Sequence, residues 1–128
     1  MKKKNHLKTK YNSDTYLEYI RGTRCCSCGA YPVDAHHEGI FRTGGTKRRN
    51  DFQAVPLCHD KCHLNGVHAE GKKFWDNRGL DPEWIVLTLL RDYRDTLKPS
   101  QFADGADYDR EIEIVDELIP QLAELFDE

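Results

Sequence analysis

Two close cysteine pairs and a histidine doublet carry the chemistry this chain can offer. Cys25 and Cys28 form a C-x-x-C step followed by Gly29, and Cys58 and Cys62 make a second pair thirty residues further on. Gly29 supplies the turn of a zinc knuckle. A spacing of four puts Cys58 and Cys62 on one face of a helix, so four thiolates can close a tetrahedral Zn²⁺ site. Cys26 is the spare, by geometry a weaker ligand candidate than Cys25. Five buried thiols packed as small hydrophobes is the bland alternative, and no packing rule favours such clustering. A four-cysteine zinc would staple a domain too small to hold itself together by apolar burial alone. It would bring no reaction of its own.

The histidines point elsewhere. His36-His37 ends a predicted strand, and His63 follows Cys62 at the start of a predicted helix. Neighbouring strand side chains face opposite ways, so one member of the doublet can bind a metal while the other faces a substrate. His36 and His63 can hold one hard cation with positions left open for water and a phosphate oxygen. His37 can then take a proton from an attacking water, since imidazole titrates near neutral pH. Taken alone, a satisfied structural histidine is the commoner account of such a pair.

Composition narrows the setting. The chain has 128 residues, 38% hydrophobic and 32% charged, which is enough for one small core. All five cysteines fall between positions 25 and 62, and five of the six histidines between 36 and 68. An odd cysteine count interleaved with histidines argues for metal ligation over a disulfide framework. No window reaches the roughly 18 apolar residues of a membrane span. The basic start lacks the apolar stretch of a signal peptide, so a cytoplasmic protein with no membrane partner is expected. The net charge of −3 hides an asymmetry: residues 1–100 carry 18 Lys and Arg against 12 acids, and residues 101–128 carry one Arg against ten. That pattern suits a polyanion-facing surface followed by an acidic segment.

The elements that must position these residues can be read in order. Residues 1–12, with five Lys and no acid, form a basic arm. Ser13 or Asp14 caps a short amphipathic helix carrying Tyr16, Leu17, Tyr19 and Ile20, which Gly22 stops. Val33 to His37 and Phe52 to Leu57 read as strands joined by a Gly- and Arg-rich loop. A helix starts near Cys58 and runs to about Asn77, with an interruption expected at Gly66. Asp81-Pro82-Glu83 opens a further helix ending by Lys98. Residues 108–126 give a last, acidic helix, kinked at Pro120. Phe74, Trp75 and Trp84 sit at inner helical spacing and are expected in the core.

The run Cys25-x-x-Cys28, Asp34-Ala35-His36-His37, Gly44-Gly45, Asp51-Phe52-Gln53-Ala54-Val55-Pro56-Leu57-Cys58, Cys62-His63, His68 and Phe74-Trp75 resembles the HNH, or His-Me finger, endonucleases. It is most similar to the small phage-type branch that includes the RecA-dependent recombination-enhancement nucleases. The resemblance covers about residues 24–78. It implies that His36 and His63 bind the catalytic metal, that His37 is the general base, and that metal-bound, His-activated water attacks the scissile phosphodiester. Two departures stand out. The family's middle Asn, which buttresses the loop and helps position the base at the catalytic site, falls at Gln53, one methylene longer, with Asn50 an out-of-register substitute. Some members use helical histidines four apart, whereas His63 and His68 are five apart, about 140° round a regular helix instead of about 40°. A bulge at Gly66 can restore convergence; otherwise His68 faces solvent or lies behind the ligands.

In that architecture the loop bearing Arg42, Lys47, Arg48 and Arg49 lies beside the metal and suits phosphate contacts, with a solvated charge run as the alternative. The expected fold is α+β, mainly α: a ββα-metal finger with a zinc knuckle, its short antiparallel hairpin set among additional helices. Residues 13–98 form the nuclease domain, and 99–128 an acidic helix packed on it or on a partner. The expected function is a metal-dependent HNH endonuclease cutting or nicking DNA, with structural Zn²⁺ and a catalytic Mg²⁺, Mn²⁺ or Zn²⁺. DNA is the expected partner, joined by a RecA-type or other phage or host recombination or replication protein. The rivals are a noncatalytic zinc-binding DNA module and a phage-type protein acting through its acidic helix.

Overall fold

Helix α1, Asp14–Arg21, begins where the Ser13 hydroxyl accepts from the Tyr16 N–H at 3.0 Å, satisfying one of the open donors of a first helical turn. It stops at Gly22, whose N–H reaches the carbonyls of Glu18 and Tyr19. The computed structural model describes residues 11–40, 50–98 and 108–126. Among these, no helix is long and apolar enough to cross a membrane.

Beyond α1 the chain makes a knuckle. Gly29 takes φ +80°, a left-handed conformation that a side chain would oppose. Its N–H returns to the Cys25 carbonyl at 2.9 Å, while the Cys25 N–H reaches the Ala30 carbonyl at 2.9 Å. Strand β1, Val33–His37, then pairs antiparallel with β2, Ala54–Cys58, setting Val33 opposite Cys58 and His37 opposite Ala54. Pro56 is tolerated inside β2 because its carbonyl turns away from β1 to accept from the Cys26 N–H at 2.9 Å. The missing N–H therefore falls on the free edge of the sheet, and the same bond ties the knuckle to the hairpin. The second strand starts at Ala54, not Phe52. Residues Asp51–Gln53 form a 3₁₀ turn capped by Asn50, whose Oδ1 accepts from the Phe52 N–H at 2.8 Å.

After Cys58 comes a π-helix, His59–Val67, followed by the single turn α2, His68–Glu70. The break expected at Gly66 lies at Gly71 instead, where φ is +65°, ahead of α3, Lys73–Asn77. Helix α4, Pro82–Thr96, is capped by Asp81, which accepts from the Glu83 N–H at 3.0 Å. Proline in its first turn loses no bond the helix needs. Helix α5, Tyr108–Ala123, runs on through Pro120 into a 3₁₀ turn, Glu124–Phe126.

The core gathers the buried face of each helix against the hairpin. Tyr16 of α1 lies 5.1 Å from the Phe52 ring and 4.7 Å, edge-on, from Tyr93 of α4. Val86, Leu87, Leu90 and Tyr93 of α4 face Ile114, Val115, Leu118 and Leu122 of α5 across the same core. Each such side chain contributes about 1.5–3 kcal/mol through burial. Phe74 and Trp75 are buried as expected, but Trp84 is 46% exposed. It sits in the first turn of α4, on the flank of the buried face, with its ring edge-on to Phe126. The architecture is therefore mixed α and β, mainly helical, around one two-stranded antiparallel hairpin.

Candidate metal centres

The four cysteines Cys25, Cys28, Cys58 and Cys62 come together, their sulfurs all within 4.8 Å of one another. The knuckle, the end of β2 and the π-helix each supply part of the set. Cys28 and Cys58 sulfurs lie 3.7 Å apart, close to the roughly 3.8 Å edge of a tetrahedron with Zn–S near 2.3 Å. The Ser27 and Cys28 N–H groups both donate to the Cys25 sulfur at 3.4 Å. Burial opposes ionisation of Cys25, yet these N–H groups and that of Cys58 bring its pKa down to about 7. Burial pushes Cys62 up to about 12, a cost a bound cation removes because a coordinating thiol is deprotonated outright. The donor set is compatible with a structural zinc. Cys26 stays outside it, and burial raises its pKa to about 12.

A second cluster forms from His36, His63 and His68, whose nitrogens also lie within 4.8 Å of one another. His36 Nδ1 is 3.1 Å from His63 Nε2, and His68 Nε2 is 3.1 Å from the same atom. Two carboxylates set the tautomers. His63 Nδ1 donates to Asp34 Oδ2 at 2.8 Å, and His36 Nε2 donates to Glu38 Oε1 at 3.0 Å. Each of these bonds leaves the opposite ring nitrogen with its lone pair, so His63 Nε2 and His36 Nδ1 aim lone pairs at one point. Three nitrogens bound at about 2.0–2.1 Å to a tetrahedral ion would sit about 3.3 Å apart, near the observed spacing. Carboxylates behind metal-binding histidines are the usual means of fixing ring orientation.

The π-helix decides the place of His68. Its hydrogen bonds run from i to i+5, so residues five apart stack on one side, and His63 and His68 converge despite a spacing that would part them on an α-helix. Gly66 makes room for this winding: a Cβ there would lie 2.6 Å from Phe74 Cε1 and 3.0 Å from the Lys61 carbonyl. Gly66→Ala is expected to destabilise the fold by about 1–3 kcal/mol, the usual scale of overpacking, and to weaken metal binding at the histidine cluster. Chemical denaturation and a metal titration of the same variant would measure both. Unchanged stability and affinity would show that the π-helix does not depend on this close approach.

His37 faces away from the cluster, as alternation along β1 requires. Its Nε2 donates to Asp51 Oδ1 at 2.8 Å, and Asp51, side chain 3% exposed, also accepts from the Ser13 N–H at 2.7 Å. Gln53 is buried and braces the chain just beyond β1. Its Oε1 accepts from the Ile40 N–H at 3.0 Å, and its carbonyl accepts from the Glu38 N–H at 3.2 Å. It thus pins the chain as it leaves β1. Asn50 is committed to its cap. Arg42, Lys47, Arg48 and Arg49, like the arm Lys2–Lys10, lie outside the described residues.

Four residues here were not singled out for a role from the sequence: Asp34, Glu38, Asp51 and His59. Asp34 and Glu38 flank His36 at steps of two, the spacing that places all three on one strand face, so that signal was present. His59 Nδ1 bonds Asp34 Oδ2 at 2.6 Å. The hydrogen bonds from His63 and then His59 lower the Asp34 pKa, and Asp34 in turn raises that of His59.

The family model described as a protein of unknown function, DUF968, matches residues 3–94. No curated protein and no solved structure matches the chain.

Proposed function

The chain belongs to the DUF968 family, and for this member we propose metal-dependent hydrolysis of DNA phosphodiesters by an HNH endonuclease built on a ββα-metal finger. The observation that carries this reading is the convergence of His36, His63 and His68, from a hairpin strand and the helix that follows it, on one point. His37 stands next to a ligand and is held by a buried carboxylate, which supports a separate role as base.

In this reading His36 Nδ1, His63 Nε2 and His68 Nε2 hold the divalent ion. When bound, the ion supplies Lewis acidity to the phosphate oxygens and stabilises the leaving oxygen. His37 takes the proton of the attacking water, its ring held at Nε2 by Asp51. Asp34 and Glu38 hold their rings against rotation. Gln53 keeps the strand end in place, and Arg42, Lys47, Arg48 and Arg49 contact the DNA backbone. Three imidazoles with no carboxylate on the ion favour a borderline metal such as Zn²⁺ over Mg²⁺. The four-cysteine zinc stays purely structural.

Incubating the full chain with supercoiled plasmid and a series of divalent ions tests the proposal. Nicked or linear product is expected with at least one ion and none with a chelator. DNA binding without cleavage under every ion would replace the enzyme by a noncatalytic zinc-binding DNA module.

A further inference from the structure

We propose that helix α5 sets the orientation of His37 through a buried hydrogen-bonded relay, Glu111 to Ser13 to Asp51 to His37, with Glu111 and Asp51 as positioning residues. The inference rests on the reading of His37 as the base and adds to it an element outside the matched residues 3–94.

Glu111 is the anomaly that starts the argument. It occupies the apolar stripe of α5 ahead of Ile114, Val115, Leu118 and Leu122, and it is 1% exposed. A leucine there would bury without cost, whereas a carboxylate must be paired or bonded. Glu111 Oε1 accepts from the Ser13 hydroxyl at 2.8 Å and from the Tyr93 hydroxyl at 2.6 Å, and Oε2 from Arg110 Nη1 at 3.0 Å. Burial and then the Glu111 carboxylate hold the Tyr93 pKa far above its ordinary value, so the phenol stays a donor.

The bond to Ser13 matters most. Its hydroxyl accepts from the Tyr16 N–H as the cap of α1 and donates to Glu111, while its own N–H donates to Asp51 Oδ2. One residue therefore joins the two buried carboxylates. Further bonds clamp the same stretch: Arg110 Nη2 donates to the Asn12 carbonyl at 2.7 Å, the Tyr11 hydroxyl to Glu117 Oε2 at 2.7 Å, and the Asp51 N–H to the Tyr11 carbonyl at 2.9 Å. Residues 11–13 are thus held between α5 and the turn that carries Asp51. Both Asp51 oxygens are engaged, so a shift of Ser13 must move the carboxylate that fixes His37. A displacement of a fraction of an ångström is enough to spoil proton transfer.

Long-range ¹H–¹⁵N spectra of the histidine rings in the full, zinc-loaded chain read the relay directly. In wild type, His37 is expected as the Nε2–H tautomer. Asp51→Asn, Ser13→Ala, Glu111→Gln and Glu111→Leu should each give a mixed tautomer for His37 with the zinc content unchanged. Glu111→Leu restores an unbroken apolar stripe and so guards against simple unfolding. Against plasmid, Glu111→Gln should lower kcat about tenfold at unchanged KM, part of the roughly 10²–10⁴-fold that a positioned base supplies. Asp116→Asn is the control, since it weakens an exposed pair that joins α5 to Arg94 of α4, away from Ser13 and Asp51, and should leave His37 as in wild type. A His37 tautomer unmoved by the Glu111 variants, or moved equally by Asp116→Asn, overturns the relay. A shifted tautomer in a chain that never cleaves DNA upholds the relay and sinks the nuclease reading instead.

Discussion

Protein purified without added metal is expected to retain one Zn²⁺ that mild chelation does not remove, and stripping it should unfold the domain. The cysteine cluster brings together three segments: the knuckle, the end of β2 and the π-helix. Structural zinc sites contribute apparent binding free energies of about 10–16 kcal/mol at neutral pH. That is comparable to the roughly 5–15 kcal/mol total stability of an ordinary domain, so loss of the metal is expected to cost this chain its fold. Cys58→Ser should lose both the zinc and the cooperative thermal transition. Cys26→Ser should keep both, because Cys26 lies outside the cluster. Because thiolates must be deprotonated to bind, acidification should release zinc and fold together. Metal analysis alongside circular dichroism on the two variants checks this, and a stable, zinc-free Cys58→Ser domain would end the structural-zinc assignment.

The second large effect separates the two histidines of the doublet. Their side chains reach different partners, His36 toward His63 and Glu38, His37 toward Asp51, so their losses should differ in kind. His36→Ala removes one of three ligands, and cleavage should fall but recover in part at higher metal concentration by mass action. His37→Ala keeps the ligands and the DNA affinity, and should lose about 10²–10⁴-fold in kcat. No concentration of metal should rescue it. Both variants should retain the cysteine-bound zinc and the thermal transition, since that site shares no residue with the histidines. Equal kcat for wild type and His37→Ala would rule out the base assignment.

Much of this molecule was legible from residue order alone. The caps Ser13 and Asp81, the stop at Gly22 and the strand Val33–His37 follow from rules that act over a few residues. The four cysteines were legible as two close pairs, although Cys58 ends β2 and only Cys62 lies in the helix that follows, so the second pair does not share one helical face. The same local rules misled at Trp84, whose spacing fits a core position although α4 and α5 meet on the neighbouring flank. Gln53 shows a related limit. The resemblance to the HNH endonucleases implies that Gln53 braces the loop and helps position the base. Its side chain does hold the Ile40 N–H, while a carboxylate that residue order did not mark, Asp51, reaches the ring of His37.

What the tertiary structure alone decided is the set of contacts between distant parts of the chain. His68 joins His36 and His63 only because Phe74 packs against Gly66 and the helix there winds as a π-helix, a choice that five-residue spacing cannot report. Asp51 holds His37 because the 3₁₀ turn aims it there. Glu111 meets Ser13 across 98 positions of sequence, where no periodicity connects them. Periodic patterns encode which face of an element is buried. The sequence therefore determined helices α1, α4 and α5, the pairing strands and the grouping of the cysteines, but not the winding between Cys58 and Asn77. Which buried polar group meets which is set by how the faces dock, and that docking made the histidine cluster and its carboxylate supports a property of the folded chain.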